Sequence, residues 1–267
     1  MIRPPAVAGS FYPADPRVLT LEIDSLVPAA SSQQRVLGCI VPHAGYMYSG
    51  HVAGAVYSTI EIPARVILLG PRHFPRGEPL AIIEEGAWQT PLGEAPIDDV
   101  LARAIAHEFP RLREDRVAHE REHSLEVQMP FLQRLREGVR IVPIVLATDR
   151  FPVLEELGHA VARVVQAQSE PVLILASTDM NHYESDATTR VKDRRAIERI
   201  LTLDARGLFD TVRNEGITMC GYAATVAAMA AWKALGAREA ELVRYATSGE
   251  INGDLSLVVG YAGFTIR

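Results

Sequence analysis

Continuous apolar runs, each ending abruptly in polar residues, constrain this sequence more than any other feature. The runs at residues 36–41, 65–69 and 172–176 show little of the polar–apolar alternation that a strand with one solvated face requires. They therefore predict strands that are covered on both faces, as in parallel or mixed sheets. The other predicted strands lie at residues 80–83, 139–146, 241–247 and 255–264.

Helical segments alternate with these strands. Within residues 151–167 apolar side chains recur three or four positions apart, which predicts a helix with one buried face. Asp204 is the expected N-cap of another helix, and Pro130 predicts that the helix around it kinks or begins late. The alternation predicts an α/β fold, a single-domain αβα sandwich around a mixed, largely parallel central sheet over residues 1–267. The predicted helices lie at residues 16–26, 50–59, 96–108, 123–136, 151–167, 187–201, 204–214 and 222–235.

The composition narrows the class of protein. With 33 acidic and 27 basic residues the formal net charge is −6, and the absence of a basic run argues against a nucleic-acid-binding surface. No stretch approaches the roughly 20 apolar residues of a membrane span, and the proline-interrupted start does not resemble a signal peptide. Cys39 and Cys220 form no disulfide framework, which favours a cytoplasmic location, although a single bridge between them stays open. The linker-like segment at residues 28–34 is too short to mark a domain boundary.

Histidines follow three of the predicted strands. His43 comes directly after the first apolar run, His73 after the second, and Asp179 with His182 after the run at residues 172–176. A lone histidine after a strand is more often a loop residue or a hydrogen-bonding residue than a ligand. Three in the same topological position favour a site, because sheets of this class bind ligands outside the carboxyl ends of their strands.

Two histidines at strand ends form half of a site for a divalent transition metal. The residues alone leave the third ligand open among Cys220, Asp179, Glu126 and His123. Cys220 stands just before an apolar helix that begins near Tyr222, and the helix dipole there predicts a lowered thiol pKa. The alternative, a buried and inert cysteine, has equal weight from the sequence.

Two pairs of polar residues carry a functional and a structural interpretation. His123 and Glu126 are three residues apart, which places them on one face of a first helical turn, where charged residues often only complement the dipole. Asp179 and His182 are expected to form an oriented acid–base pair, or else an Asx turn after the strand. Residues 88–93 are expected to form a loop anchored by an aromatic residue.

Six short motifs occur in a fixed order along the chain. They are Pro-His-Ala-Gly-Tyr from residue 42, Gly-Pro-x-His from residue 70, Trp-x-Thr-Pro-Leu-Gly from residue 88, Glu-His-Ser-Leu-Glu from residue 122, Thr-Asp-x-x-His from residue 178 and Met-Cys-Gly from residue 219. Together they resemble the Memo family, whose microbial members are called AmmeMemoRadiSam system protein B. The resemblance runs from residue 8 to residue 263.

The resemblance implies a fold similar to class III extradiol dioxygenases, which hold non-haem iron(II) on two histidines and one carboxylate. His43, His73 and Cys220 match the metal-binding positions of the family, so iron(II) or copper is the implied cofactor. Cys220 stands where the dioxygenases have a carboxylate. A thiolate is a softer ligand, so ring-cleaving activity does not transfer directly.

The same resemblance implies roles for the other pocket residues. Asp179 and His182 match pocket residues, with the histidine in the place of an acid–base catalyst, and Cys220 joins them as a catalytic candidate. His123 and Glu126 match a further pocket motif and are the expected cofactor-binding residues.

Three functions follow from this set of residues. The first is a metal-dependent enzyme that carries out redox or oxygen chemistry on a small substrate. The second is a metal-free, hydrolase-like enzyme in which Cys220 attacks an acyl group with His43 or His182 as base. The third is a scaffold that uses the pocket to hold a peptide or small ligand. The microbial family name implies an AMMECR-domain protein and a radical S-adenosylmethionine enzyme as partners.

Overall fold

The apolar runs form strands of one mixed sheet in the computed structural model, which describes residues 1–29 and 32–267. Residues 30 and 31, inside the linker-like segment, lie outside the described residues. Every predicted strand is present, with ends that differ by up to three residues. The strands are β1 (Ile2–Arg3), β2 (Gly38–Val41), β3 (Arg65–Pro71), β4 (Leu80–Ile82), β5 (Ala87–Thr90), β6 (Gly93–Pro96), β7 (Arg113–Glu114), β8 (Arg140–Leu146), β9 (Val172–Ser177), β10 (His182–Glu184), β11 (Ala240–Thr247) and β12 (Val258–Ile266).

Four parallel strands form the middle of this sheet. They lie side by side in the order β2, β9, β3 and β8. Val41 at the end of β2 is in register with Ser177 of β9, and Ala176 of β9 is in register with Leu69 of β3. Because β9 lies between β2 and β3, the carboxyl ends that precede the predicted site residues are neighbours at one edge of the sheet.

Antiparallel strands extend both sides of the parallel core. Strand β12 pairs with β2, β11 and β10 pair with β12, and β4 pairs with β8. This confirms the predicted mixed sheet. The prediction of a loop at residues 88–93 is wrong, because β5 and β6 form a hairpin there that pairs with β1. Trp88 is buried within it, and Gly93 supplies the positive φ of 116° at its turn.

Helices cover both faces of the sheet. A side chain at Gly38 of β2 would collide with Trp232, whereas one at Gly263 of β12 would meet Val56. Gly263 is two residues from Thr265 in β12, so these two residues share one face of the sheet. Thr265 is the register partner of Cys39, and Cys39 is adjacent to Gly38 in β2. Gly263 and Gly38 therefore face opposite sides of the sheet. The predicted αβα sandwich is therefore confirmed. The α-helices are α1 (Pro16–Leu26), α2 (His51–Thr59), α3 (Asp99–Glu108), α4 (Val117–Glu120), α5 (Met129–Leu135), α6 (Phe151–Gln166), α7 (Asp186–Leu201), α8 (Ala205–Asn214), α9 (Tyr222–Ala234) and α10 (Gly249–Asn252).

Local sequence signals predict the starts of two helices correctly, but they place one pair of residues on a helix wrongly. Asp204 caps α8 by accepting a hydrogen bond from the amide of Gly207, as predicted. Helix α5 begins late, with Pro130 in its first turn, after a short 3-10 turn at Glu126–Gln128. His123 therefore precedes every helical residue of this segment. The prediction that His123 and Glu126 share one face of a first helical turn is wrong.

The two cysteines are both free thiols, so the bridge that the sequence left open is absent from the described structure. Cys39 is fully buried in β2, within the apolar run at residues 36–41. Among the described residues no helix is both long enough and apolar enough to cross a bilayer.

Candidate metal centre

The carboxyl ends of β2, β3 and β9 open into one cavity of about 740 Å³. Its polar lining comes mainly from the strand ends, from the turn before α9 and from His123, which precedes the 3-10 turn. The candidate residues that line it are His43, His73, His123, Asp179, His182 and Cys220. The three strand ends thus deliver their polar residues to a single crevice.

Buried hydrogen bonds fix the orientation of the His43 ring. Its Nδ1 lies 3.0 Å from the hydroxyl oxygen of Ser177, which donates its own hydrogen to the carbonyl oxygen of Ser124 at 2.7 Å. The same hydroxyl accepts a hydrogen bond from Gln128, whose amide oxygen accepts one from Tyr57. A hydroxyl has one hydrogen to donate, so Nδ1 of His43 must carry the hydrogen of this contact. Its Nε2 keeps a free lone pair, as a metal-binding imidazole requires.

A buried carboxylate orients His73 in the same way. Glu122 accepts hydrogen bonds from Nδ1 of His73 at 2.8 Å, from the His73 amide at 2.5 Å and from the Ser124 amide at 2.9 Å. Burial alone would raise the pKa of Glu122, but the hydrogen bonds from His73 and Ser124 outweigh it and lower the pKa to about 2. The carboxylate therefore holds the Nδ1 hydrogen of His73 and leaves Nε2 free. Histidine ligands of metal sites commonly have such a partner.

Close backbone packing brings Cys220 to the end of β9. A side chain at Gly221 would lie 2.4 Å from the carbonyl oxygen of Ser177, so only glycine allows the turn before α9 to approach this strand. The sulfur of Cys220 lies 3.2 Å from Nε2 of His43 and accepts the amide hydrogen of Asp179 at 3.3 Å. The sulfur and one ring nitrogen each from His43 and His73 lie within 4.8 Å of one another.

The predicted lowering of the Cys220 pKa is wrong. Burial raises the pKa of this thiol well above its usual range, and the nearby Asp179 carboxyl raises it further. The dipole of α9 is too weak to offset the loss of hydration. The thiol of the protein alone is therefore protonated, and a cation at the sulfur is needed to make it a thiolate.

Asp179 and His182 both line the cavity, but they do not form the predicted oriented pair. Asp179 accepts the amide hydrogen of His43 at 2.7 Å, and burial raises the pKa of its carboxyl to about 7. The ring of His182 is oriented instead by Thr218, whose carbonyl oxygen lies 2.9 Å from Nδ1. Because a carbonyl can only accept, Nδ1 of His182 carries the hydrogen and Nε2 is free. Burial lowers the pKa of His182.

Of the second predicted pair, only His123 lines the cavity. Its ring stacks on His73 with centroids 4.5 Å apart, and burial lowers the pKa of His123 to about 4. The carboxylate of Glu126 is fully buried elsewhere, where it accepts hydrogen bonds from Arg3, from the Tyr12 hydroxyl and from amides of the N-terminal segment. Glu126 therefore fastens the N-terminal segment and does not reach the cavity.

Sequence reasoning missed the residues that orient the histidines. Ser177, Glu122 and Thr218 each hold one Nδ1 hydrogen, yet none of them carries a ligand signal of its own. The available signal is position: Ser177 is the polar residue that ends β9, Glu122 begins the Glu-His-Ser-Leu-Glu motif, and Thr218 directly precedes the Met-Cys-Gly motif. Glu122 also groups with His73 and His123 as potential ligands, but three N–H donors already occupy its oxygens.

Comparisons with known proteins agree over the whole chain. The sequence matches the profile of Memo-like proteins over residues 3–265. A MEMO1 family protein of Methanothermobacter thermautotrophicus is 40% identical over 274 residues, which cover 98% of this chain and 99% of the relative. Another, from Methanopyrus kandleri, is 40% identical over 100% of this chain and 99% of its own. The crystal structure of an uncharacterized Escherichia coli K12 protein shares the fold, with a TM-score of 0.60 and 12% identity over 87% of this chain and 100% of that one. The chain therefore belongs to the Memo-like protein family.

Proposed function

We propose that this protein binds one iron or copper ion through His43, His73 and Cys220 and uses it for redox or oxygen chemistry on a small substrate. One observation carries the proposal. The hydrogen bonds from Nδ1 of both histidines leave two Nε2 lone pairs beside one cysteine sulfur at the floor of a cavity. Two nitrogen lone pairs that face one point beside a thiol, which gives up its hydrogen when a cation binds, are the arrangement that such a cation requires.

The donor set fits a mononuclear transition-metal site. Two ligands on one ion are roughly 3.3–3.6 Å apart at ordinary metal–nitrogen and metal–sulfur bond lengths. The 3.2 Å between the Cys220 sulfur and Nε2 of His43 is close to this spacing. Two imidazoles and one thiolate suit iron or copper better than magnesium or calcium, which prefer oxygen ligands.

The remaining cavity residues would manage protons. A bound iron or copper ion would supply electron transfer and an electrophilic centre for oxygen or substrate. Nε2 of His182 is free to accept a proton, because Thr218 holds the hydrogen on Nδ1. Burial raises the pKa of the Asp179 carboxyl to about 7. Asp179 would therefore hold or release a proton near neutral pH, close to the Cys220 sulfur.

The pKa directions disfavour the metal-free, hydrolase-like alternative. That reaction needs a Cys220 thiolate paired with a histidinium. Burial raises the pKa of the Cys220 thiol, and burial lowers the pKa of His43 well below its usual range. Both shifts favour a neutral thiol beside a neutral imidazole, and a neutral thiol is a poor nucleophile. The scaffold alternative, the AMMECR-domain and radical S-adenosylmethionine partners and the cytoplasmic location stay predictions.

Anaerobic reconstitution tests the proposal. The purified chain is incubated separately with iron(II) and copper, freed of unbound ion and analysed for metal content. We expect close to one ion per wild-type chain, loss of the ion in His43→Ala, and full binding in His107→Ala, which alters an exposed histidine outside the cavity. Failure of the wild-type chain to retain either metal would contradict the proposal.

A further inference from the structure

We infer that Asn181 is a positioning residue for His182. Its side-chain amide ties the turn that carries Thr218 and Cys220 to the start of β10, and this tie sets the direction of the His182 ring. Asn181 is one of the two residues that the Thr-Asp-x-x-His motif leaves without a role. The inference rests on the proposed function only for the use of the oriented ring, which is proton transfer at the metal centre. The hydrogen bonds that orient the ring stand independently of any metal.

The side-chain amide of Asn181 is fully buried, and its partners determine which way it faces. The backbone amide of Thr218 can only donate, and it lies 3.0 Å from Oδ1 of Asn181. The Glu184 carboxylate can only accept, and one of its oxygens lies 2.7 Å from Nδ2. The Thr218 hydroxyl is 3.1 Å from Oδ1, and the Thr189 hydroxyl is 3.3 Å from Nδ2. Both hydrogens and both lone pairs of the amide therefore have partners, as a buried amide requires.

Thr218 passes this tie on to His182. It belongs to neither α8 nor α9, so its position depends on the contact with Asn181. Its hydroxyl accepts the amide hydrogen of His182 at 2.7 Å, and its carbonyl oxygen lies 2.9 Å from Nδ1 of the ring. Thr218 is also two residues before Cys220, whose sulfur lies within 4.8 Å of a ring nitrogen of His182. A displaced Thr218 therefore turns the ring and moves it relative to the sulfur.

The backbone of Asn181 is anchored separately from its side chain. Its amide donates to the carboxyl of Asp193 at 2.8 Å, and its carbonyl oxygen accepts the amide hydrogen of Gly260 at 2.9 Å. Asp193 is fully buried in α7 and also accepts the hydroxyl hydrogen of Tyr245 at 2.7 Å. A side chain at Gly260 would collide with this carboxyl, so only glycine lets Asp193 reach the backbone of Asn181. Because the backbone is held in this way, removing the side-chain amide frees Thr218 and leaves the chain around Asn181 in place.

Two substitutions at Asn181 separate a positioning role from a purely structural one. Asn181→Asp keeps an oxygen for the Thr218 amide but places a second carboxylate beside Glu184. Asn181→Ala removes both the oxygen and the donor. Each change leaves buried hydrogen-bonding groups without partners or brings like charges together, so each should lower the free energy of unfolding in urea. Only Asn181→Ala should release the ring of His182, because only it removes the acceptor that holds Thr218.

NMR of ¹⁵N-labelled histidine in the metal-free full chain measures the ring directly. Burial lowers the pKa of His182, so at about pH 8 the ring is neutral and its one hydrogen reports the orientation. The signals of His182 are those that disappear in His182→Gln. We expect the wild type and Asn181→Asp to carry the hydrogen on Nδ1 alone. Asn181→Ala should lose this single form and share the hydrogen between the two ring nitrogens.

Two further variants complete the test. Asn181→Ser, whose hydroxyl stands one bond farther from the Thr218 amide, should also lose the single form and replaces Asn181→Ala if that variant does not fold. Asn214→Ala, which alters an exposed asparagine at the end of α8, should match the wild type.

The inference is overturned if His182 keeps its hydrogen on Nδ1 alone in Asn181→Ala and Asn181→Ser, or if Asn181→Asp loses this form as they do. If the wild type retains neither iron nor copper but the ring responds as expected, the proposed function fails and the orienting role of Asn181 stands. If metal is retained and the ring does not respond, only this inference fails.

Discussion

Replacing Glu122 with glutamine should separate the orientation of His73 from the rest of the site. The carboxylate accepts three N–H groups, two from His73 and one from Ser124, and is fully buried. Glutamine has the same shape but presents an NH₂ group to donors on one side. Either Nδ1–H of His73 or the backbone amides of His73 and Ser124 then lose their charged acceptor.

The size of the effect follows from the pKa of Glu122. Burial opposes the ionised form, but the hydrogen bonds from His73 and Ser124 lower the pKa from its ordinary 4.5 to about 2. This lowering corresponds to about 3 kcal/mol of stabilisation at neutral pH. Because the folded-state pKa is depressed, the stabilisation is complete above pH 4.5 and is lost as the pH falls toward 2. Loss of an orienting partner of a metal-binding histidine typically costs about 10–100-fold in metal affinity.

Urea unfolding over a series of pH values, together with metal competition titrations, measures both effects. We expect Glu122→Gln to lower the free energy of unfolding by about 3 kcal/mol at neutral pH, with a difference that shrinks below pH 4.5. The control is Glu120→Gln, which alters an exposed carboxylate whose ion pair with Arg76 spans 3.7 Å. Surface pairs of this kind contribute about 0–1 kcal/mol. Equal stability and equal metal affinity in the two variants would contradict the role assigned to Glu122.

Three further substitutions test other parts of the site. Ser177→Ala removes the acceptor of the His43 Nδ1 hydrogen, so metal affinity measured by competition should fall by about tenfold or more; unchanged affinity would contradict the assigned ring orientation. Gly221→Ala places a carbon 2.4 Å from a carbonyl oxygen and should displace the Cys220 turn and abolish metal retention, whereas Gly45→Ala, with 3.5 Å of clearance, should retain metal in the same assay. Glu126→Gln weakens the attachment of the N-terminal segment and should lower the free energy of unfolding by about 3–5 kcal/mol, because Arg3 is left without its buried partner. Its folded fraction should bind metal normally in elemental analysis, and a selective loss of metal would restore Glu126 as a cofactor-binding residue.

The fold could be predicted from the sequence wherever one local signal dominated. The runs that became β3 and β9 are continuous and apolar, so they had no alternative to a strand covered on both faces. Strands whose existence depends on distant partners could not be predicted. Hairpin β5–β6 consists of two four-residue strands, one of which pairs with the N-terminal β1. Strand β10 has an irregular register and a residue with positive φ, so its sequence lacks the alternation that indicates a regular strand.

The candidate site was predictable at the level of residue type and position, but its electrostatics were not. The histidines stood out because they follow strands, and strand order then placed β9 between β2 and β3. The pKa of Cys220 depends on burial by segments far away in the chain, which outweighs the local helix dipole. Glu126 was misplaced for a similar reason, since its partners come from the N-terminal segment more than 110 residues earlier.

Anomalous diffraction at the iron and copper absorption edges, from crystals of the wild-type chain grown without chelator and soaked anaerobically with each metal, tests the central claim directly. We expect one peak within bonding distance of the Cys220 sulfur and of Nε2 of His43 and His73. A peak centred instead on His73, Glu122 and His123, or crystals that show no peak with either metal, would contradict it.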